Sequence, residues 1–422
     1  MKRVLVVLAW VAMMNGSNLQ RARGDEGMWL FNRPPRELLA KRYGFEITDA
    51  WLKHIQRSSV RFNSGGSGSF VSRHGLVMTN HHVGADSLAK MSTSDSDLVK
   101  TGYYARKPAD ELKCVDLELN VLVDIEDVTE RVNAAVKGDA EAAEAQKARQ
   151  AVMNTIEKES LDKTGLRSDV VTLYQGGMYH LYRYKKYTDV RLVFAPEKAI
   201  AFFGGDADNF EYPRYDLDVC LFRVYEDGQP LDREDFLRWS TRGLSDEELI
   251  FVSGHPGKTD RQNTYAHLCF LRDLAFPLSM DNIRRREINL LGYSEDSLEN
   301  ARRGEDELFA YQNTRKARLG GLEGLQNPLV MRPKLQAEQE LRKRVAADAK
   351  LRSADGDAWD QVSAALELWR GIYDQHYLVE RGMAFNSELF NIARTLVRLA
   401  EESEKPNSER LHEYAAAGLD SL

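Results

Sequence analysis

Two adjacent histidines close a run of β-forming and glycine residues, Gly66-Ser67-Gly68-Ser69-Phe70-Val71-Ser72-Arg73-His74-Gly75-Leu76-Val77-Met78-Thr79-Asn80-His81-His82. A neutral imidazole, with a pKa of about 6.5, can take a proton from a serine hydroxyl at neutral pH. A histidine at the end of a strand is therefore placed as a general base would be. The same residues also suit an ordinary pair of histidines at a strand end. A metal reading is poor, because neighbours on a strand point to opposite faces and His82 reaches Asp86 only on a helix. No HExxH or CxxC spacing supports it. No metal and no other cofactor is expected.

A second constellation is Phe203-Gly204-Gly205-Asp206-Ala207-Asp208-Asn209-Phe210-Glu211-Tyr212-Pro213-Arg214-Tyr215-Asp216-Leu217-Asp218. Asp216 and Asp218 share one face of an extended chain, and either could accept the Nδ1 proton of a histidine. A solvated acidic turn would look the same. A calcium loop is disfavoured, since the ordered D-x-D-x-D-G spacing and closing glutamate are missing. The nucleophile is harder to find. The chain has no G-x-S-x-G elbow. Ser64, in Asn63-Ser64-Gly65-Gly66, precedes the histidines, the reverse of the His, Asp, Ser order of chymotrypsin-like chains. Ser253-Gly254-His255-Pro256-Gly257 reads as a loop ending an apolar strand, Leu249-Ile250-Phe251-Val252. Cys220 falls inside an apolar strand, where a thiol is inert.

The elements that would hold these residues come in three textures. Residues 25–125 are strand-like, with Arg73-His74-Gly75 as a tight hairpin turn. Residues 126–165 carry apolar positions at helical spacing, predicting one long helix or a helical hairpin. Residues 166–270 return to strands, among them Asp189–Phe194 and Val219–Tyr225, the latter closed by Glu226-Asp227-Gly228. From 271 to 422 the texture is helical, punctuated by Pro328, Pro333 and Pro406, with Ser408–Tyr414 also read as helix. A chain of 422 residues is long enough for two or three domains. Apolar residues at 43% and charged residues at 29% exclude collagen-like, coiled-coil and wholly disordered classes. A net charge of −7 disfavours a nucleic-acid partner. Three cysteines, Cys114, Cys220 and Cys269, cannot staple a fold and leave the redox compartment open. Lys2 and Arg3, then the apolar run Val4–Met14, then Ala22-Arg23-Gly24, have the anatomy of a signal peptide over residues 1–24. Its removal takes Lys2, Arg3, Arg21 and Arg23 and no acid, so −7 becomes −11. No later run reaches membrane-spanning length. The expectation is a periplasmic or secreted protein.

Several stretches resemble the bacterial dipeptidyl peptidase 7 and 11 family of serine exopeptidases. They are Gly75-Leu76 with Thr79-Asn80-His81-His82, Phe203-Gly204-Gly205-Asp206 with Asp208-Asn209, Tyr212-Pro213-Arg214 before Asp218, and Phe222-Arg223-Val224-Tyr225. Gly254-His255-Pro256-Gly257-Lys258-Thr259-Asp260-Arg261, Glu26-Gly27-Met28-Trp29 near the start and Glu409-Arg410-Leu411 with Glu413-Tyr414 and Ser421-Leu422 at the end extend the likeness. The resemblance implies an α+β fold, a chymotrypsin-like double β-barrel with a large inserted α-helical domain. Residues 25–270 would then be the barrel domain, its second barrel incomplete, and residues 271–422 an incomplete helical domain. The resemblance makes His82 the general base and Asp218 its orienting acid. It places Asn209, Phe210 and Asn313 at the substrate's free α-ammonium. An amide oxygen accepts from an ammonium and an aromatic face adds a cation–π attraction. The partners implied are oligopeptides with a free N-terminus, and a homodimer.

Three departures from the family qualify this. The family's serine lies beyond the helical domain, within which this sequence ends; nucleophile, oxyanion hole and S1 pocket are expected to be absent, and the chain as given inactive. A cysteine that commonly follows the histidine pair is Val83 here, and its partner in the glycine-rich strand is Gly66. Phe210 and Tyr212 stand where tryptophans are often found. The leading expectation is a secreted serine-type dipeptidyl peptidase represented by its N-terminal part. The alternative is a non-catalytic protein that binds peptide N-termini.

Overall fold

The computed structural model describes residues 27–419 apart from Ser94, Asp139, Lys258, Thr259, Arg261, Asn386 and Ala417. The signal-peptide expectation for residues 1–24 lies outside the described residues, as do Lys258, Thr259, Arg261, Ser421 and Leu422 of the family motifs. The fold is mixed, a large antiparallel sheet joined to many helices.

Among the described residues the sheet has eleven strands: β1 Ser59–Phe62, β2 Ser67–Phe70, β3 Leu76–Thr79, β4 Tyr103–Tyr104, β5 Leu112–Lys113, β6 Leu119–Asp127, β7 Arg167–Leu173, β8 Met178–Tyr187, β9 Asp189–Ala195, β10 Cys220–Glu226 and β11 Gln229–Pro230. Their order is β4-β9-β10-β3-β2-β1-β6-β8-β7, with β11 on β10 and β5 on β9. Only Thr188 separates β8 from β9 in the chain, yet the two stand at opposite ends of the path β9-β10-β3-β2-β1-β6-β8. Strands far apart in the pairing order are thus joined by one short run of backbone. The pairing path itself ends at β4 on one side and β7 on the other.

Alternation of side chains along the strands builds the core. Buried and half-buried positions alternate along β2 and β3, and Val60, Phe62, Phe70, Val77, Leu119, Val121, Val190, Leu192, Cys220, Phe222 and Val224 form one buried cluster. The hairpin turn at 71–75 is as the sequence predicts: Phe70 pairs with Val77, and Gly75 takes φ +66°. The surface helix read between 126 and 165 is two helices, Thr129–Ala134 and Ala142–Thr164, the longer one packed on β7 over a second small core.

Three expectations need correction. Residues 25–125 are not purely strand-like, since helices Arg36–Tyr43, Asp49–Ser58 and His81–Met91 interrupt them. Leu249-Ile250-Phe251-Val252 forms no strand; Phe251 instead packs on the rings of Phe45 and Trp51 at 5.2 and 5.1 Å, and Ile250 and Val252 are exposed. Ser408–Tyr414 is two short 3₁₀ turns, not a helix. There the Asn154 side chain donates to the carbonyls of Asn407 and Arg410, and Glu402 accepts from the Leu411 N–H. Side chains thus occupy groups a helical ladder would use.

From Tyr265 onward the described residues are helical in the main. Phe276–Glu295, Leu298–Gln326, Pro328–Ala347, Ala358–Arg370 and Glu388–Ser403 are the long elements. Ser297, Asn327 and Ser387 cap three of them by accepting backbone N–H groups, and Pro328 sits at a first helical position. Among the described residues no helix is long and apolar enough to cross a membrane.

Candidate active site

The base is delivered by a strand that turns into a helix. β3 ends at Thr79; Asn80 is extended; His81–Met91 is helical. The two histidines therefore open a helix rather than close a strand. The first N–H groups of a helix lack partners within it. Here the Asn80 side chain does not cap them. The Asp218 carboxylate does, accepting the backbone N–H of His82 on Oδ1 at 3.1 Å.

Sheet register explains why Asp218 is available. β10 runs antiparallel to β3 with Cys220 opposite Thr79, so the residues just before Cys220 lie beside those just after Thr79. Asp218 Oδ2 stands 2.8 Å from His82 Nδ1. An ionised carboxylate only accepts, so Nδ1 carries the proton and Nε2 keeps its lone pair. The His82 side chain is 67% exposed and Asp218 25%, which leaves the Nε2 side of the ring open. Among the described residues, the imidazole of His82 bonds to Asp218 alone.

The electrostatics follow from these contacts. The hydrogen bond to the Asp218 carboxylate raises the pKa of His82 above its ordinary value; burial works against this, and the charges of Asp218 and Asp216 add to it. Burial alone would lift the Asp218 carboxyl, but bonds from the His82 ring, its backbone N–H and Asn80 hold it below the usual range. His81 is buried, and burial pushes its pKa down. Asp86 pairs with Lys90 at 2.9 Å, one turn on. Asp216 pairs with Arg214 at 3.1 Å, so of the two aspartates read as alternatives only Asp218 meets the imidazole.

Sequence reasoning missed Asn80. Its amide donates to both the carboxylate (3.1 Å) and the backbone carbonyl (3.2 Å) of Asp218. Nothing local in the sequence signals this, because the partner is 138 residues away. The serines weighed as nucleophiles lie elsewhere in the bonding pattern: Ser253 takes the hydroxyl of Ser59 at 3.0 Å, and Ser64 lies in the exposed turn between β1 and β2.

The structure also brings Asn209 and Asn313 together. Asn209 Nδ2 donates to Asn313 Oδ1 at 2.9 Å, while Asn209 Oδ1 accepts from Arg214 at 3.1 Å. Each amide oxygen retains a second lone pair. Asn209 is buried, and Phe210 beside it is exposed with φ +64°.

A profile of the family described as Peptidase S46 matches residues 24–422. The chain belongs to that family. It is 32% identical over 257 residues to a dipeptidyl-peptidase 7 of Capnocytophaga gingivalis, covering 57% of this chain and 36% of that one. It is 31% identical over 268 residues to an Asp/Glu-specific dipeptidyl-peptidase of Porphyromonas gingivalis, covering 58% and 37%. The chain thus spans little more than a third of the length of these curated relatives. The crystal structure of Porphyromonas endodontalis DPP11 in complex with the dipeptide Arg-Glu superposes with a TM-score of 0.73 at 21% identity, over 94% of this chain and 63% of that one. At that identity the likeness is one of fold.

Gly66 and Val83 are neighbours here. A Cβ placed on Gly66 would lie 3.4 Å from the Cβ of Val83, close to the spacing of about 3.8 Å usual across a disulfide. Gly66→Cys with Val83→Cys is therefore expected to oxidise to a bridge. Gly66 has φ +99°, which a side chain adopts only under strain. The gain should accordingly fall below the roughly 3 kcal/mol of a loop this size. Mass spectrometry with and without reductant, and the matching melting curves, would check it. Two free thiols after oxidation would refute the adjacency.

Proposed function

We propose that this chain carries the general base and orienting acid of a serine-type dipeptidyl peptidase. His82 takes the proton of a serine hydroxyl through Nε2 as that hydroxyl attacks the scissile carbonyl. Asp218 holds the ring in the Nδ1–H tautomer and stabilises the imidazolium that forms. Asn209, Asn313 and Phe210 receive the substrate's free α-ammonium through the remaining amide lone pairs and the exposed aromatic face. Holding the amino group at a fixed distance from the base makes the enzyme count two residues from the end. The substrates are oligopeptides with a free N-terminus, released as dipeptides.

The observation that carries this reading is the 2.8 Å contact between His82 Nδ1 and the Asp218 carboxylate beneath an open Nε2. In the fuller reading, the strands close into the first of two barrels within a domain of residues 25–270. Residues 271–422 belong to a helical domain. The protein is exported with cleavage after residue 24 and forms a homodimer. No serine is bonded to Nε2 among the described residues, so the 422-residue chain is proposed to be inactive by itself. Fluorogenic dipeptidyl substrates supply the test. The chain alone should not turn them over, and a polypeptide extended to carry a serine at Nε2 should. His82→Ala in that polypeptide should abolish turnover; full activity in that variant would end the proposal.

A second reading has a specific observation behind it. Asn209 and Asn313 meet at 2.9 Å, and among the described residues no serine bonds to the His82 ring. A non-catalytic protein that binds free peptide N-termini would need no more. It requires the extended polypeptide to bind such peptides without cleaving them.

A further inference from the structure

The backbone of the turn that carries Asn209 and Phe210 is bonded by a lysine from a distant helix. The Lys316 ammonium donates to the backbone carbonyls of Asp206, of Ala207 at 3.1 Å and of Asn209 at 3.0 Å. An ammonium has three donors, and all three are spent on this turn. The turn needs an outside hold. Gly205–Asp208 is a single helical turn, and helix C-terminal carbonyls lack partners of their own. Gly204, Gly205 and Phe210 all have positive φ, at +80°, +58° and +64°. A bulky residue stays there only when its surroundings over-determine it. Lys316 lies three residues beyond Asn313 on the helix Leu298–Gln326, so both reach the turn from one helix face. Arg315 adds a contact to the Asp206 carboxylate at 3.3 Å.

Resting on the function proposed above, we infer that Lys316 is a positioning residue for the amino-terminus site: it fixes the backbone of residues 206–209 so that Asn209 and Phe210 face an incoming α-ammonium. Its charge alone would do the opposite, since a lysine repels a cationic ligand. Positioning and electrostatics therefore predict opposite signs for its removal, and that makes the inference decidable.

The test uses the 422-residue chain and needs no catalysis. Binding of tetra-alanine amide and of its N-acetylated form is measured by calorimetry or NMR titration. The unmodified chain should prefer the free amine. Lys316→Ala should weaken binding of the free amine by about tenfold or more and leave the acetylated peptide unchanged. Lys316→Arg, which keeps the donors, should restore most of the preference. Lys198→Ala is the control. It removes a different contact between the same helix and this region, Lys198 to Glu305 at 2.8 Å, and should keep the preference. Tighter binding in Lys316→Ala would show that its charge dominates. An equal loss in Lys198→Ala would show that general docking of the helix is what matters. An unchanged preference in Lys316→Ala would also overturn the inference. If the unmodified chain itself shows no preference, the amino-terminus site is refuted, and this inference with it.

Discussion

Asp218→Asn is expected to lower the pKa of His82 and, in a polypeptide that brings a serine to Nε2, to reduce kcat by about 10⁴-fold. The sign follows from the contacts. The aspartate is the largest cause of the raised histidine pKa, through its hydrogen bond and its charge. Asparagine keeps the shape but has one acceptor oxygen where the carboxylate has two. The His82 N–H and the Asn80 amide, at 3.1 Å each, already donate to this group. The backbone N–H bonds Oδ1, whereas the Asn80 amide shares Oδ2 with Nδ1; a carboxamide oxygen kept by the backbone N–H puts its NH₂ in the Oδ2 place, facing Nδ1. Nδ1 must then accept, Nε2 holds the proton, and the ring cannot act as a base. The ¹⁵N shifts of the His82 ring report this tautomer directly in the 422-residue chain, without any turnover. With Asp218 intact, kcat/KM should rise with pH through a value above the ordinary histidine pKa, because only the neutral ring is a base. Wild-type ring shifts in the variant would contradict the whole arrangement.

Legibility in the sequence tracks how local each feature is. His82 and Asp218 could be singled out because each follows or precedes an apolar β-run, and the register of β3 against β10 then brings them together. The 71–75 turn, β9, β10 and the long helix after 140 were readable for the same reason: period and turn residues are written within a few positions. The helix at His81 was not. Its Gly84 is a poor helix former, and it is tolerated because space forbids more. A Cβ there would lie 2.8 Å from Cys220 Sγ and 3.1 Å from Phe222 Cζ. That requirement comes from a strand over a hundred residues on. Asn80 and Lys316 were invisible on the same grounds, since their partners are 138 and about 110 residues away. Leu249–Val252 misled for the opposite reason. Its composition is that of a strand, but burial depends on a neighbour, and the neighbour it finds is a helix carrying Trp51.

Phe222→Ala should be the most damaging single core change near the site, costing about 3–5 kcal/mol. Phe222 is fully buried in β10, between Val77 on β3 and Leu192 on β9, with the Phe62 ring 5.9 Å away. Against a total stability of about 5–15 kcal/mol, that is a large share. Urea unfolding should show a lower midpoint with an unchanged slope. A loss below about 1 kcal/mol would mean that the strands of this sheet do not share a packed core. The same contact can be pressed from the other side. Gly84→Ala forces a methyl against Phe222 and Cys220, an overpacking cost of about 1–3 kcal/mol, and it pushes the helix bearing His82 away from the strand that follows Asp218. The two changes should not add. Removing the Phe222 ring opens room for the methyl introduced at position 84, so Gly84→Ala should cost less in the Phe222→Ala background than alone. Simple additivity would place the two positions out of contact, and with them the packing that seats the imidazole on its carboxylate.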